Sequence, residues 1–439
     1  MRNFPLPLRD FRFMTQEELE QFDPARDITE EEGPGYMLQV TLRYPPSLHL
    51  RHNSFPLAPE SVTITNEDLS PYAARCWSQL SSAGGGGKHQ KKEKKYKATK
   101  LTATFNDRVH YWVHGLNLKF YLEQGLELLK LHRGVRFHQQ AFLAPYIQMC
   151  MQRRAASKTK VENTRWKMLS NAVYGKMIES TANRMEAHFL FEPRKALLRY
   201  SDPLYRGSLI LDEDFSVSFN SKRVIRLTQA WPVGFTILEL SKLVMYRLFY
   251  EVLQPAFDGR LTVLMSDTDS FAVLAPGSSP DEICSKIAHV MDFSNYNPSH
   301  PLYDATRKNT VGLLKNEVSQ DTIVRFAGVR SKTYAFVTAG EYVEAKAKGV
   351  GRQYKKKITF DAYKQCLDEI CAVNVKQVSI QAKNHANMLV QSEKAAFNSM
   401  DDKRYLLCAI HSVPYGSILA AEHVKTGRCY FCDNPNVYS

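Results

Sequence analysis

The sequence is poor in the features that mark secreted, membrane-spanning or metal-caged proteins. It has eight cysteines in 439 residues. They are widely scattered, which argues against a disulfide framework and fits free thiols in a reducing compartment. Only Cys429 and Cys432 stand at a metal-like spacing, and a C-x-x-C without a second pair predicts no zinc. The histidines form no ligand-like group. No apolar run reaches the ~20 residues that cross a membrane, so no membrane partner is expected. The N-terminal residues carry no targeting pattern.

What is present is an ordinary globular composition, 44% hydrophobic and 23% charged, in a chain long enough for two or three domains. The net charge of +13 points to a polyanionic partner, although a merely basic enzyme has the same bulk charge. Distribution favours nucleic acid. Residues 1–35 are acidic, whereas Lys and Arg cluster at Lys88–Lys100, Arg153–Lys160 and Lys346–Lys357. The Gly/Lys-rich stretch 81–100 reads as a flexible surface loop.

The stretch Leu261-Thr-Val-Leu-Met-Ser-Asp-Thr-Asp-Ser270 places two carboxylates, Asp267 and Asp269, between apolar runs. The pattern predicts a β-hairpin with carboxylates at its tip. Carboxylates beside apolar strands need compensation. A hard cation such as Mg²⁺ supplies it, and paired carboxylates holding two such ions are the apparatus of nucleotidyl transfer. The plainer alternative is that the aspartates cap the turn. A calcium loop does not fit, because the sixth position from Asp267 is Ala272 and the twelfth is Ser278.

Elsewhere the spacing predicts a capped helix at Gln16–Phe22, opened by Thr15 and Glu18, and a strand over Tyr36–Tyr44 ended by Pro45-Pro46. Helical character is expected over Asn117–Arg133 and in a long stretch after Pro145, where Arg154 and Lys158 would share a face. Short strands are expected over 185–230 and a buried helix over Phe235–Glu251. A helix over Asp281–Met291 and strands within 310–338 come next. Helices over Asp361–Cys371 and Ala382–Asn398 and a loop-like tail close the chain. In Arg165–Lys176, Lys167, Asn171 and Tyr174 fall at i, i+4 and i+7, just before Gly175. A cation, an amide and an aromatic ring on one face suit a nucleoside triphosphate. An amphipathic surface helix ending at Gly175 is the alternative.

Three patterns then stand in order: Lys167-x-x-x-Asn171-x-x-Tyr174-Gly175, Asp267-Thr-Asp269-Ser270, and Lys332-Thr333-Tyr334. Their order and spacing resemble the later motifs of family B DNA polymerases. Further text resembles the protein-primed branch found in Polinton/Maverick transposons and related viruses: Gly35-Tyr36, Tyr44-Pro45, His49, His52-Asn53, Phe55–Glu60, Leu69–Tyr72, Val113-His114, Asn117–Lys119, Asp292–Tyr296, His300–Tyr303, Asp401–Tyr405 and Gly416. The likeness spans nearly the whole chain except 81–97 and roughly the last twenty residues.

That resemblance implies an α+β right-hand fold: a palm whose antiparallel sheet bears the Asp267 hairpin, helical fingers and a mostly helical thumb. The implied division is a partial palm and insertion over 1–145, fingers over 146–182, palm over 183–340 and thumb over 341–439. Asp267 would bind two Mg²⁺ ions (or Mn²⁺) with Asp269 in support. Lys167, assisted by Arg154 and Lys158, would contact triphosphate oxygens, and Asn171, Tyr174 and Gly175 would line the nascent base pair. Lys332, Thr333 and Tyr334 would hold the DNA primer terminus and template. Implied partners are primer–template DNA, dNTPs and a terminal priming protein, and insertions between the motifs would correspond to the terminal-protein regions of protein-primed enzymes, with 185–230 the candidate for the second. The implied location is intracellular, in the nucleus or at a viral replication site.

One departure stands against this. Family members carry an earlier D-x-x-x-L-Y-x-x-x-M motif whose Asp bridges the metals, close before a Pro-Leu-Pro segment. Here that segment is Pro5-Leu-Pro7 and no such motif precedes it; the exonuclease region is missing as well. The strand Gln39–Leu42 also lacks the acidic residues expected from relatives. Catalysis is therefore expected to be incomplete. A DNA-binding remnant without chemistry is the alternative. A two-metal nuclease is a third reading, but it leaves Lys167–Tyr174 without a purpose.

Overall fold

The computed structural model describes residues 4–83, 95–182, 184–319, 321–351, 353–354, 358–383 and 386–434. The chain opens with strand β1 (Leu6–Phe13) and helix α1 (Gln16–Gln21). The expected capping box closes α1: Glu18 N donates to the Thr15 hydroxyl at 3.2 Å, and Thr15 N donates to the Glu18 carboxylate at 2.9 Å. After the short α2 (Pro24–Asp27), β2 (Gly33–Arg43) follows its alternation and stops before Pro45-Pro46. Then come β3 (Glu60–Thr65), α3 (Pro71–Ala83), β4 (Lys97–Thr102), β5 (Arg108–His114) and α4 (Gly115–Glu123). The loop expected over 81–100 is corrected at its end, because Lys97–Thr102 pairs with β3 residue by residue; 84–94 lie outside the described residues.

The helix expected over Asn117–Arg133 is also corrected. It stops at Glu123, Gly125 takes φ +97°, and Leu128 and Leu129 lie on β6 (Glu127–Gln140). Leucines at helical spacing fit a strand equally well once a long partner is available, and β6 pairs along all of β2. Next are α5 (Ala144–Ala155) and α6 (Lys160–Met177). The break between them removes the shared face expected of Arg154 and Lys158. Helix α6 runs through Gly175 rather than ending there.

A small sheet of β7 (Met185–Leu190), β8 (Tyr205–Asp212) and β9 (Phe215–Ser221), ordered β7-β9-β8, carries an unforeseen helix, α7 (Pro193–Tyr200). The buried helix expected over Phe235–Glu251 is α8 (Trp231–Arg247), which continues through the π-helical turn Leu248–Leu253 into α9 (Gln254–Ala256). The hairpin β10 (Thr262–Asp267) and β11 (Ser270–Leu274) forms as read from the sequence. Helix α10 (Pro280–Lys286) is shorter than expected. Strands β12 (Ile323–Arg330), β13 (Thr333–Thr338) and β14 (Val343–Lys346) make one antiparallel sheet, and the described residues of 310–322 contain no strand.

Helix α11 (Phe360–Asp368) agrees with expectation. The helix over Ala382–Asn398 does not form: β15 (Ala372–Lys383) pairs with β16 (Ala386–Asn398) in one long hairpin, so this region is not mostly helical. The Ala, Met, Glu and Lys of that segment favour a helix. Burial of Val375, Ala396 and Phe397, with Phe397 stacked 4.0 Å from Tyr363 of α11, selects the strand. The tail is not loop-like either. It holds β17 (Tyr405–Leu406), β18 (Ser412–Val413), α12 (Ile418–Thr426) and α13 (Tyr430–Asp433).

Three cores organise these elements. The first lies under the antiparallel sheet β1-β6-β2-β5, packed by α4, α8 and the π-helical turn. The β10–β11 hairpin is not hydrogen-bonded into that sheet, contrary to expectation. It joins the core through Phe271, whose ring lies 5.1 Å from Phe55 and 6.1 Å from Phe249. The second core brings together distant stretches, Ile64, Leu69, Ala73 and Tyr96 with Tyr405, Val413, Leu419 and Phe431. Polar contacts fasten it: Phe105 N to Tyr415 O at 2.7 Å, Arg404 to Asn53 O at 3.0 Å and Ile418 N to His49 Nδ1 at 3.1 Å. Gly416, at φ +80°, passes so close to Asn106 that a Cβ would sit 2.8 Å from its backbone nitrogen. The third core lies between the β12–β14 sheet, α11 and the β15–β16 hairpin.

Asp292 shows how a polar group fixes a long loop. It is 1% exposed; Ser294 N and Asn309 N donate to it at 3.0 and 2.8 Å, and Lys315 Nζ lies at 3.2 Å. Burial pulls its pKa upward, but these donors outweigh burial and hold it below the usual aspartate value. A depressed folded pKa gives stability that is full above about pH 4 and lost as pH falls through the folded value. Asp292→Asn is expected to cost about 1.5–3 kcal/mol at neutral pH and to flatten the acid limb of a urea-denaturation series.

Candidate nucleic-acid and nucleotide site

Two hairpin tips meet at the junction of the first and third cores. One is Asp267-Thr268-Asp269-Ser270, where Asp269 N donates to Asp267 O at 2.7 Å and Ser270 Oγ donates to the same carbonyl at 3.1 Å. This bonding forces Thr268 to φ +60°, a left-handed conformation rare for a β-branched residue. The other is the β12–β13 turn, where Lys332 takes φ +61°. Such conformations cost ~1–3 kcal/mol each and persist where the surroundings hold them. The tips are joined by an ion pair, Lys332 Nζ to Asp267 Oδ1 at 2.9 Å. Both side chains keep solvent access, 51% and 33% exposed, so the pair adds little stability, at most about 1 kcal/mol. Its interest is placement.

Strand β13 reads Thr333-Tyr-Ala-Phe-Val337. The period of two sends Thr333, Ala335 and Val337 inward and leaves Tyr334 and Phe336 on the other face. Phe326 stacks 5.9 Å from Tyr334, and Phe336 lies 6.5 Å beyond it at 12°. Lys346, opposite Tyr334 on β14, lies 5.7 Å from the Tyr334 ring centre. Its pKa is raised, first by the Tyr334 hydroxyl and further by the charges of Glu344 and Asp267. The result is a half-exposed aromatic ladder edged by two lysines and adjoining Asp267. Rings of this kind stack on bases, and lysines of this kind meet phosphates. Thr333 has no exposed surface. The strand period that presents Tyr334 turns Thr333 inward, so it supports the turn rather than reaching a ligand.

Helix α6 carries the other expected residues. Lys167 and Asn171 are exposed, and Tyr174 is half-buried against the first core. The helix docks on α8 where Gly234 leaves room; a Cβ there would lie 2.2 Å from Ile178 Cγ2. Arg154, at the end of α5, is tied to α6 by its Nε donating to Asn163 Oδ1 at 3.3 Å, while Lys158 N donates to Glu162 at 3.1 Å. Gly175 lies in the last helical turn with open space about it. The first core thus anchors both α6 and the Asp267 hairpin, through Tyr174 and Met177 on one side and Val263, Phe271 and Val273 on the other.

The carboxylates do not by themselves make a two-ion site. Asp267 and Asp269 project from one hairpin, and Asp267 already carries Lys332. Among the described residues, neither belongs to a group of three or more acidic, histidine or cysteine ligands. Two ions on an in-line displacement need ligands on both sides. The Mg²⁺ or Mn²⁺ expected from the sequence is therefore not matched by the donors present.

Lys346 lies in the basic stretch Lys346–Lys357, but nothing in the sequence assigns it to this site. Strand pairing alone brings it to Tyr334.

No protein-family profile matches the chain, and no curated protein matches it. Among solved structures it is similar to phi29 DNA polymerase complexed with primer-template DNA (post-translocation binary complex), at 12% identity and TM-score 0.48. It is likewise similar to phi29 DNA polymerase complexed with primer-template DNA and incoming nucleotide substrates, at 13% identity and TM-score 0.48. Each superposition covers 90% of this chain and 55% of the other, so the chain spans about half the length of the structures it matches.

Proposed function

We propose that this chain is the primer–template- and dNTP-binding part of a DNA-directed DNA polymerase of the protein-primed family B type, and that it does not complete nucleotidyl transfer alone. The observation that carries the reading is the Lys332–Asp267 ion pair, which joins two of the three sequence patterns in one place. Lys332, Tyr334 and Lys346 would meet the DNA backbone and a base face. Lys167, Asn171 and Tyr174 would take the triphosphate, sugar and base of the incoming nucleotide. Phe189, Phe191, Leu197, Leu198 and Ile210, all more than 60% exposed on the β7–β9 unit, support a protein partner there, in keeping with a priming protein.

The test is a labelled primer–template measured for binding over a salt series and for extension with Mg²⁺ or Mn²⁺. Expected is binding that weakens steeply with salt, strengthened by the next complementary dNTP, without extension. Loss of the dNTP effect in Lys167→Ala would bear out the α6 assignment. Extension by this chain, abolished in Asp267→Ala, would refute the incompleteness. DNA binding with no dNTP effect favours the second reading, a DNA-binding remnant, for which the supporting observation is that, among the described residues, neither Asp267 nor Asp269 belongs to a group of three or more metal-ligating side chains. Failure to bind DNA at low salt would overturn both.

A further inference from the structure

Apart from the residues of that site, the end of the chain assembles four soft ligands. Cys408 and His411 flank the tip of the β17–β18 hairpin, which closes through Leu407 N to His411 O at 2.9 Å and Cys408 N to His411 O at 3.3 Å. Cys429 immediately precedes α13 and Cys432 lies within it, with Cys432 N donating to Cys429 O at 3.1 Å. Gly427, left-handed at φ +67°, ends α12 and turns the chain back toward the hairpin. The sequence therefore reads C-x-x-H, seventeen residues, then C-x-x-C.

The donor atoms converge. His411 Nδ1 lies 3.4 Å from Cys408 Sγ, 3.5 Å from Cys429 Sγ and 3.4 Å from Cys432 Sγ. The Cys408 and Cys432 sulfurs are 3.9 Å apart, and all four donors lie within 4.8 Å of one another. A tetrahedron with Zn–S of about 2.3 Å and Zn–N of about 2.05 Å requires S···N edges of about 3.6 Å and S···S edges of about 3.8 Å. The observed spacings are those of ligands around one ion. The ring of His411 also lies 5.5 Å from Phe431, a buried member of the second core.

We propose that Cys408, His411, Cys429 and Cys432 form a structural zinc site that clamps the β17–β18 hairpin to α13. Three thiolates and one imidazole suit zinc and not a hard cation. Four protein ligands leave no open position, so the site is structural, not catalytic. The expectation of no zinc rested on Cys429 and Cys432 having no second ligand pair, and that premise does not hold. The second pair exists, but one of its members is a histidine, and it lies upstream on a different element. Because the clamp closes the second core, metal binding contributes to holding that core together.

The test is metal analysis of the full chain, produced with zinc supplied and purified without chelator. About one zinc per chain is expected, falling to less than roughly a fifth of that in Cys432→Ser and His411→Ala, with His411→Cys retaining the metal. Cobalt substitution provides a readout on the wild-type chain if variants fail to fold. It should give the strong visible bands and thiolate charge-transfer absorption of a tetrahedral sulfur site. A zinc-free wild-type chain with no such cobalt spectrum would overturn the proposal, as would zinc content unchanged in Cys432→Ser. Iron in place of zinc would overturn the choice of metal.

Discussion

Replacing Arg108 by methionine is expected to cost about 3–5 kcal/mol of stability. The side chain is 1% exposed and ion-paired with Glu60 at 3.0 Å. Its guanidinium donates to three backbone carbonyls, Ala58 O at 2.8 Å, Thr104 O at 2.7 Å and Asn106 O. Methionine fills much of the volume but donates to none of these acceptors, leaving the carbonyls without the guanidinium and the Glu60 carboxylate without its cation, although the Thr104 hydroxyl still donates to Glu60 at 3.2 Å. The location multiplies the effect. Residues 104–106 link the first core to the second: Phe105 stacks 4.3 Å from His49, and its N–H bonds to Tyr415 O. Lysine is not expected to rescue, because a single ammonium cannot match a planar fork with several acceptors at fixed angles. Urea denaturation measures the loss, with Arg223→Ala, whose side chain is 79% exposed, as the control expected within about 0.5 kcal/mol of wild type. A loss in Arg108→Met below about 1 kcal/mol would show that the carbonyls find other donors.

The second large effect is on binding. Reversing Lys332 and Lys346 together to glutamate should weaken duplex DNA binding by roughly 100-fold at low ionic strength and lower the salt slope by about two. Lys332 sits at the hairpin tip and Lys346 beside Tyr334. The reversal replaces two cations at the edge of the aromatic ladder with two anions next to Asp267. The gap should narrow as salt rises, since screening removes what the charges contribute. Fluorescence anisotropy over a salt series reads this, with the denaturation midpoint confirming an intact fold. A change below about threefold at low salt would mean that DNA lies elsewhere.

How much of this was readable in the sequence follows from the range of each interaction. The Asp267 hairpin was legible because two apolar runs and a polar tip determine it locally. So was α1, whose capping box lies within four residues. The β15–β16 hairpin was not, since its residues favour a helix one by one and only Tyr363 and Phe397 in contact settle the matter. Leu128 and Leu129 misled for a similar reason, satisfying a helical period while β2 waited as a partner. For the site, residue types were legible but grouping was not. Thr333 and Tyr334 are neighbours in sequence and opposites in exposure. Arg154 and Lys158 looked paired until the helix broke between them. Cys408 and His411 do carry a signal, a C-x-x-H upstream of the C-x-x-C, but one of its members is a histidine and it lies on a different element, so cysteine spacing alone does not show it.

The most direct test of a joint Asp267–Lys332 site is a double-mutant cycle on primer–template affinity, without divalent ions, using Asp267→Asn, Lys332→Gln and the two combined. Asp267→Asn should tighten binding severalfold by removing an anion and freeing Lys332, Lys332→Gln should weaken it, and the combined change should depart from additivity by more than about 0.5 kcal/mol. Wild-type affinity in all three variants, or strict additivity, would contradict the shared site.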